Sequence, residues 1–308
     1  MTAQPSAPLP APSPAELTAL AAGHGLDLDP ESLRFNEAGL DYRVVFATAL
    51  DGEPWVLRLP RRPDVSAKLA EEALILDFLK PRLDVAVPDW RIKAADLIAY
   101  PLLPGTPGLT LDDAGQPVWH FDTSSEHYAT SLGQLIAALH SVDVGDAAAA
   151  GVNVRTSAGV RDKWRADIAL AKEHFTVADS LLTRWSRWID DDSLWPDRTV
   201  LTHGELYPAH LLLGPDDGIL SVLDWTTAAV GDPALDFMFQ QVSAPPEAFT
   251  RTVDAYRDIT GWDEPRLADR CAALMAAAPV GYATFALETG DPGHLAAASA
   301  LLAGESGD

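Results

Sequence analysis

Leu201-Thr202-His203-Gly204-Glu205-Leu206-Tyr207-Pro208-Ala209-His210-Leu211-Leu212-Leu213, written LTHGELYPAHLLL, sets a His-Gly-acid turn ahead of a second histidine and a short apolar run. His210 follows Glu205 by five residues. Beyond Leu213 comes the turn pair Asp217-Gly218, then a second apolar run, Ile219 to Leu223, which ends on Asp224. Two apolar runs joined through Asp-Gly predict a β-hairpin. Glu205, His210 and Asp224 are thereby attached to rigid backbone, the condition for polar side chains to act together.

On both sides of this hairpin the pattern is helical. Ser125 to Ser141 places Leu132, Leu135, Ile136 and Leu139 on one face. Thr156 to Ile189 holds one or two long helices, Pro245 to Ile259 and Pro265 to Leu287 two more, and a last helix starts near His294. The N-terminal third differs. Pro14 opens a short helix with proline in its first turn. Arg43 to Thr48, then Asp51-Gly52, then Trp55 to Leu59 predict a hairpin, and Ser66 to Lys80 an amphipathic helix stopped by Pro81. Ala86 to Ile92 and Asp96 to Leu103 are expected as two further strands before Pro104-Gly105 breaks the chain. The expectation is an α+β fold. It comprises a Pro-rich tail over 1–13, disordered, a strand-rich N-terminal part over 14–103 and a mainly helical C-terminal part over 104–308.

Composition excludes several classes of function. The 45 acidic residues outnumber 22 basic ones and the net charge is −23, which removes nucleic acid as a partner because a basic footprint is lacking. An acidic surface attracts cationic small molecules instead. With one cysteine, Cys271, no disulfide framework is possible. No run of eighteen apolar residues exists, and the start lacks a basic segment followed by an apolar one, so no membrane span and no signal peptide are expected. A cytoplasmic monomer is the expectation.

The site residues can be read as parts for phosphoryl transfer from a nucleotide. That reaction needs a carboxylate to orient or deprotonate the attacking hydroxyl, and Glu205 leads the loop. It needs a second carboxylate and a neighbouring ligand for a divalent ion, and Asp224 and His210 fill those places. It needs a cation braced by an acid for the inner phosphates. Arg58 on the last strand of the N-terminal hairpin and Glu72 on the helix that follows supply that pair. Asn36-Glu37-Ala38-Gly39-Leu40 lies where a chain could turn over a phosphate. His203 is expected to bond backbone within the loop.

HGELYPAH, LDW and GDPALDF, taken together with NEAGLDYRVVFA, VPDWRI, IAYPLLPG and RWSRWIDDDSLWPDRTVLT, resemble the aminoglycoside/macrolide phosphotransferase family, over roughly Leu33 to Leu302. The resemblance is greatest to the macrolide 2′-phosphotransferase branch, of which His210 in place of the usual Asn is a mark. It implies a protein-kinase-like two-lobed fold. Glu205 is then the catalytic base, and His210 and Asp224 are the Mg2+ ligands. Arg58 and Glu72 serve the phosphates, Asn36 and Gly39 lie in the lid over the nucleotide, and Ile98, Tyr100 and Leu102 form the hinge that reads the purine. The donor implied is GTP, with ATP as the alternative. The acceptor implied is a macrolide phosphorylated on the desosamine 2′-hydroxyl, which amounts to antibiotic resistance. Tyr207, Phe237, Met238, Tyr282 and Phe285 would face its lactone ring. Two other readings are a kinase for an aminoglycoside or metabolite hydroxyl, and a nucleotide-binding pseudoenzyme. The second arises because most members carry Asp where this chain has Glu205.

Overall fold

Ser13 and Glu16 start the first element by capping each other. The Ser13 hydroxyl accepts from the Glu16 amide at 3.3 Å and the Glu16 carboxylate from the Ser13 amide at 2.7 Å. Pro14 follows at the first helical position, where its missing N–H is not needed, and α1 runs Pro14–Gly23. The structure, a computed structural model, describes residues 9–37, 41–62, 65, 69–112 and 114–304. Of the tail expected to be disordered, residues 9–13 are held: the Leu9 amide donates to the Arg61 carbonyl at 2.7 Å.

The chain divides into two units. One comprises Ser6–Gly108 and Ala209–Thr226. Its main sheet is antiparallel, in the order β1-β2-β3-β5-β4, with β1 Arg34–Asn36, β2 Tyr42–Thr48, β3 Pro54–Pro60, β4 Ile92–Lys93 and β5 Ile98–Pro101. One face of the sheet buries Val45, Ala47, Leu57, Leu59 and Ala99 against Leu17 and Ala21 of α1. The period of two in a strand turns Arg58 to the other face, where α2, Leu69–Leu79, presents Glu72. Ala86 to Ile92 is not a full strand. Pro88 has no N–H to give, and the pairing reduces to a bridge from Ala86 to Ser221 before β4 begins at Ile92.

The hairpin read from the Asp217-Gly218 turn is present as β10 Leu211–Leu213 and β11 Ile219–Val222, with Asp217 at φ 64°. It was counted with the helical part, yet its contacts group it with the strand-rich unit. The reason is hydrogen bonding: β10 pairs with β6, Thr106–Pro107, the Ala86 amide donates to Leu220 O at 2.8 Å, and the Val222 amide donates to Ala86 O at 2.9 Å.

The second unit comprises Leu109–Pro208 and Thr227–Asp308. It carries a small ribbon, β7 Leu109–Leu111 with β8 Pro117–Trp119, and a short pair, β9 Val200–Thr202 with β12 Ala229–Gly231. Its helices are α3 Glu126–His140, α4 Val144–Ala149, α5 Ser157–His174, α6 Asp179–Asp190, α7 Met238–Ser243, α8 Pro246–Thr260, α9 Leu267–Thr289 and α10 Pro292–Leu302. α3 and α8 touch at Gly133, where an added Cβ would come within 2.4 Å of the Thr252 carbonyl oxygen. α9 is long and apolar enough to cross a membrane, contrary to the expectation of no such segment. Within this fold it is a packing helix: it lies against α5, α7 and α10, and its Arg270 is buried in ion pairs with Asp232 and Glu264.

Candidate active site

β9 delivers the loop to its place. Thr202 is its last residue, and its hydroxyl donates to the Ala229 carbonyl of the paired strand at 2.9 Å. His203, fully buried, then donates its amide to Asp236 Oδ2 at 3.1 Å and accepts at its carbonyl from the Thr227 hydroxyl at 2.8 Å. Its ring Nδ1 accepts the Glu205 amide at 3.2 Å. His203 is therefore a loop brace, as its position beside Gly204 suggested. Gly204 sits at φ 87° with its amide 2.7 Å from Asp236 Oδ1. A side chain there would press on the Thr227 carbonyl at 3.1 Å as well as adopt a backbone shape that L-residues avoid. The peptide before Glu205 is thus fixed on both sides, and the half-buried carboxylate stands next to Tyr207. Burial first, and then the Glu205 charge, holds the Tyr207 phenol above its usual range.

Asp236 was quoted in GDPALDF without a role. It emerges as the carboxylate that holds this loop. It ends the short turn Pro233–Asp236, whose N-cap, Asp232, accepts from the Ala234 amide at 2.9 Å.

In the strand-rich unit, His210 ends a short 3-10 turn and its carbonyl accepts from the Leu223 amide at 2.8 Å. Asp224 follows in the left-handed region at φ 59°, a conformation uncommon outside glycine and found at functional turns. Its Oδ1 is taken by the Thr226 hydroxyl at 2.6 Å, while Oδ2 lies 3.8 Å from His210 Nε2. The second oxygen and the imidazole therefore form a two-atom donor set. Among the described residues no group of three or more His, Cys, Asp and Glu gathers. One carboxylate with one further ligand suits Mg2+, which keeps several waters and takes phosphate oxygens for the rest of its shell.

Arg58 and Glu72 meet at 2.8 Å, both largely buried. The guanidinium also lies 4.1 Å from the Tyr42 ring centre and 5.6 Å from that of Trp90, contacts that the sequence reading did not anticipate. Burial works to discharge Arg58, but the Glu72 carboxylate outweighs it and keeps the cation firmly protonated. Glu72→Gln is expected to leave that charge without its counterion and to destabilise the fold by about 3 kcal/mol. A urea titration of the two proteins reads this directly.

The lid and hinge residues are placed as follows. Asn36 closes β1 opposite Val44, and Gly39 lies outside the described residues. The flanks of that loop are pinned. Glu37 accepts from Arg43 Nε at 2.5 Å and lies 2.7 Å from Arg61 Nη2, and Asp41 is 2.7 Å from Arg62. The Arg43 hydrogen bond holds the Glu37 carboxyl below its usual range. The hinge reading needs a correction. The Leu102 amide donates to the Pro54 carbonyl at 2.8 Å, so by alternation Ile98, Tyr100 and Leu102 turn their backbone groups toward β3. Within β5 the carbonyls of Ala99 and Pro101 turn to the opposite edge, where Ala99 O accepts from the Arg91 amide at 2.9 Å.

For the substrate residues, Tyr207 packs on Phe239 at 5.1 Å between ring centres. Tyr282 stacks with Phe285 at 6.2 Å, and its hydroxyl lies 2.8 Å from His294 Nδ1. Met238 is half-buried at the start of α7. Phe237 is not available to a substrate: it is fully buried, edge-on to Tyr256 at 5.2 Å and to His140 at 6.1 Å.

With this geometry in place, comparison with known proteins is informative. A sequence model of the phosphotransferase enzyme family matches residues 32–270. The crystal structure of the macrolide 2′-phosphotransferase MphH from Brachybacterium faecium is 53% identical, with a TM-score of 0.87 over 95% of this chain and 98% of that one. A macrolide 2′-phosphotransferase type I is 41% identical, with a TM-score of 0.89 over 97% of this chain and all of that one (100%). An uncharacterized Bacillus subtilis (strain 168) protein, YcbJ, is 36% identical over 283 residues, 91% of this chain and 92% of its own length.

Proposed function

This chain belongs to the phosphotransferase enzyme family, and we propose that within it the protein is a macrolide kinase that transfers the γ-phosphate of GTP to the 2′-hydroxyl of the desosamine sugar. The observation that carries the reading is the 53% identity to a macrolide 2′-phosphotransferase across nearly all of both chains. A phosphotransferase acting on a hydroxyl group also accounts for every part of the loop: carboxylate, brace and donor pair.

Glu205 orients the acceptor hydroxyl and takes its proton as the oxygen–phosphorus bond forms and the bond from the γ-phosphorus to the β–γ bridging oxygen breaks, with GDP as the leaving group. Arg58, fixed by Glu72, offers positive charge to the inner phosphates of the donor. His210 and Asp224, whose Nε2 and Oδ2 lie 3.8 Å apart, would hold Mg2+, which would supply positive charge against that developing on the phosphates. The carbonyl of Pro101 and the amide of Leu103 read the purine edge. Tyr207, Met238, Tyr282 and Phe285 are the apolar contacts for the macrolide. The net charge of −23 favours approach of its dimethylammonium group.

An acceptor panel assayed by nucleoside-diphosphate release tests the reading. Erythromycin with GTP is expected to turn over, faster than with ATP, while kanamycin and related aminoglycosides are not. Absence of turnover with any macrolide would sink the proposal.

A further inference from the structure

Behind the loop that carries Glu205 lies a ring of buried polar side chains that the reaction as described does not use. Asp236, whose carboxylate takes the His203 and Gly204 amides, also lies 3.2 Å from His140 Nε2. The other ring nitrogen, Nδ1, is 3.2 Å from the Tyr256 hydroxyl. Arg198 Nη2 donates to that same hydroxyl at 3.2 Å and pairs with Glu264. Glu264 also pairs with Arg270 at 3.1 Å, and Arg270 with Asp232, the cap of the turn that carries Asp236. His140, Asp236, Tyr256 and Arg270 are each 1% exposed. Burial makes each of these bonds costly to lose, although Arg198 Nε and Arg270 Nε find no partner.

The donors fix its direction. Arginine has protons and no acceptor, so Tyr256 Oη receives from Arg198 and keeps its single proton for a second partner, with His140 Nδ1 at 3.2 Å. Burial, followed by the Glu264 charge, pushes the Tyr256 phenol up to about 12, so that proton is retained at neutral pH. The Asp236 carboxylate can only accept, so the contact at 3.2 Å places a proton of His140 on Nε2, aimed at Asp236. The carboxylate then gathers three donors: His140, His203 and Gly204. Arg198 stands two residues before β9 and His203 one residue after it, so the chain of bonds grips both ends of the strand that delivers Glu205. Phe237 covers it, edge-on to both His140 and Tyr256.

We propose that Tyr256 and Arg198 are positioning residues for the phosphotransfer, acting through His140 and Asp236 to set the peptide His203–Gly204–Glu205 and hence the reach of the Glu205 carboxylate. A displacement of about 1 Å at a reacting group can lower a rate on the order of a hundredfold, so even partial relaxation is measurable. The inference rests on the reading of Glu205 as the carboxylate of the reaction.

Two disabling variants, one rescue variant and two readouts test it on the full chain. Tyr256→Phe removes only the hydroxyl, and Arg198→Met, at the end of the chain whose side chain is 33% exposed, leaves the buried members in place should the first fail to fold. Each is expected to lower kcat about tenfold with KM for GTP and acceptor unchanged within about twofold, and Arg198→Lys, which restores a donor, to recover part of it. The second readout is the Gly204 amide proton in a spectrum of glycine-labelled protein, expected to move upfield in both variants as the bond to Asp236 weakens. Folded variants with wild-type kcat, or an unmoved Gly204 amide, would overturn the proposal. The amide signal requires no turnover, so an error in the acceptor or in the role of Glu205 leaves it readable and is told apart from an error in the relay.

Discussion

Glu205→Ala is expected to abolish most turnover, lowering kcat by about a hundredfold to ten-thousandfold, the range that a positioned proton acceptor contributes, while GTP binding stays near the wild-type value. Nucleotide affinity should persist because the residues assigned to the donor are others: Arg58, Glu72, His210 and Asp224. Isothermal titration with GTP and Mg2+ alongside steady-state rates separates the two quantities. The conservative variant is equally informative. The loop here is clamped by Asp236 through the His203 and Gly204 amides at 3.1 and 2.7 Å. Shortening the side chain by one methylene withdraws the carboxylate by about 1 Å from a backbone that is not free to follow, so Glu205→Asp is expected to lower the rate, by up to about a hundredfold. A rise in activity on that change would instead mark the wild-type chain as a nucleotide binder that has lost catalysis.

The second large effect is expected at Asp224. Asp224→Asn keeps the shape and the Thr226 contact through Oδ1 but removes the charge that, with His210, would give the metal of the proposed reaction its protein ligands. Losing a ligand that supports several kcal/mol of transition-state charge stabilisation lowers kcat on the order of a thousandfold. Turnover should also cease to saturate with Mg2+ in the range where the wild type does. The fold should not suffer. The negative charge of Asp224 works against the ionised form of Glu72 but favours that of Arg58, so its removal has opposed effects on the pair. A metal titration of the rate, paired with a melting curve, checks both halves of this expectation.

Much of the fold was legible because its signals are local. Asp51-Gly52 between β-rich runs gives the β2–β3 hairpin, with Gly52 at φ 92°. Proline at the first turn marks α1, and the apolar spacing in Ser125 to Ser141 gives α3. The loop from His203 to Asp224 was legible for the same reason. What failed depends on contacts distant in sequence. The hairpin β10–β11 goes with the strand-rich unit because of its bonds to Thr106–Pro107 and Ala86, which no local pattern reports. Phe237 looks like any apolar residue until its ring is found sealed against His140 and Tyr256. The phase of β5, which turns Ile98, Tyr100 and Leu102 toward β3, is fixed by the Leu102 bond to Pro54 and by nothing within IAYPLL itself. Asp236 stood in a quoted motif without a role, since a carboxylate that accepts two amides from a remote loop leaves no trace in its own spacing.

Erythromycin incubated with the protein, GTP and Mg2+, then analysed by mass spectrometry with fragmentation, tests the central claim most directly. The predicted result is a product one phosphate heavier, with the added mass on the desosamine fragment, and none formed by Glu205→Ala. An erythromycin of unchanged mass, while the same protein phosphorylates an aminoglycoside or another hydroxyl, would contradict it.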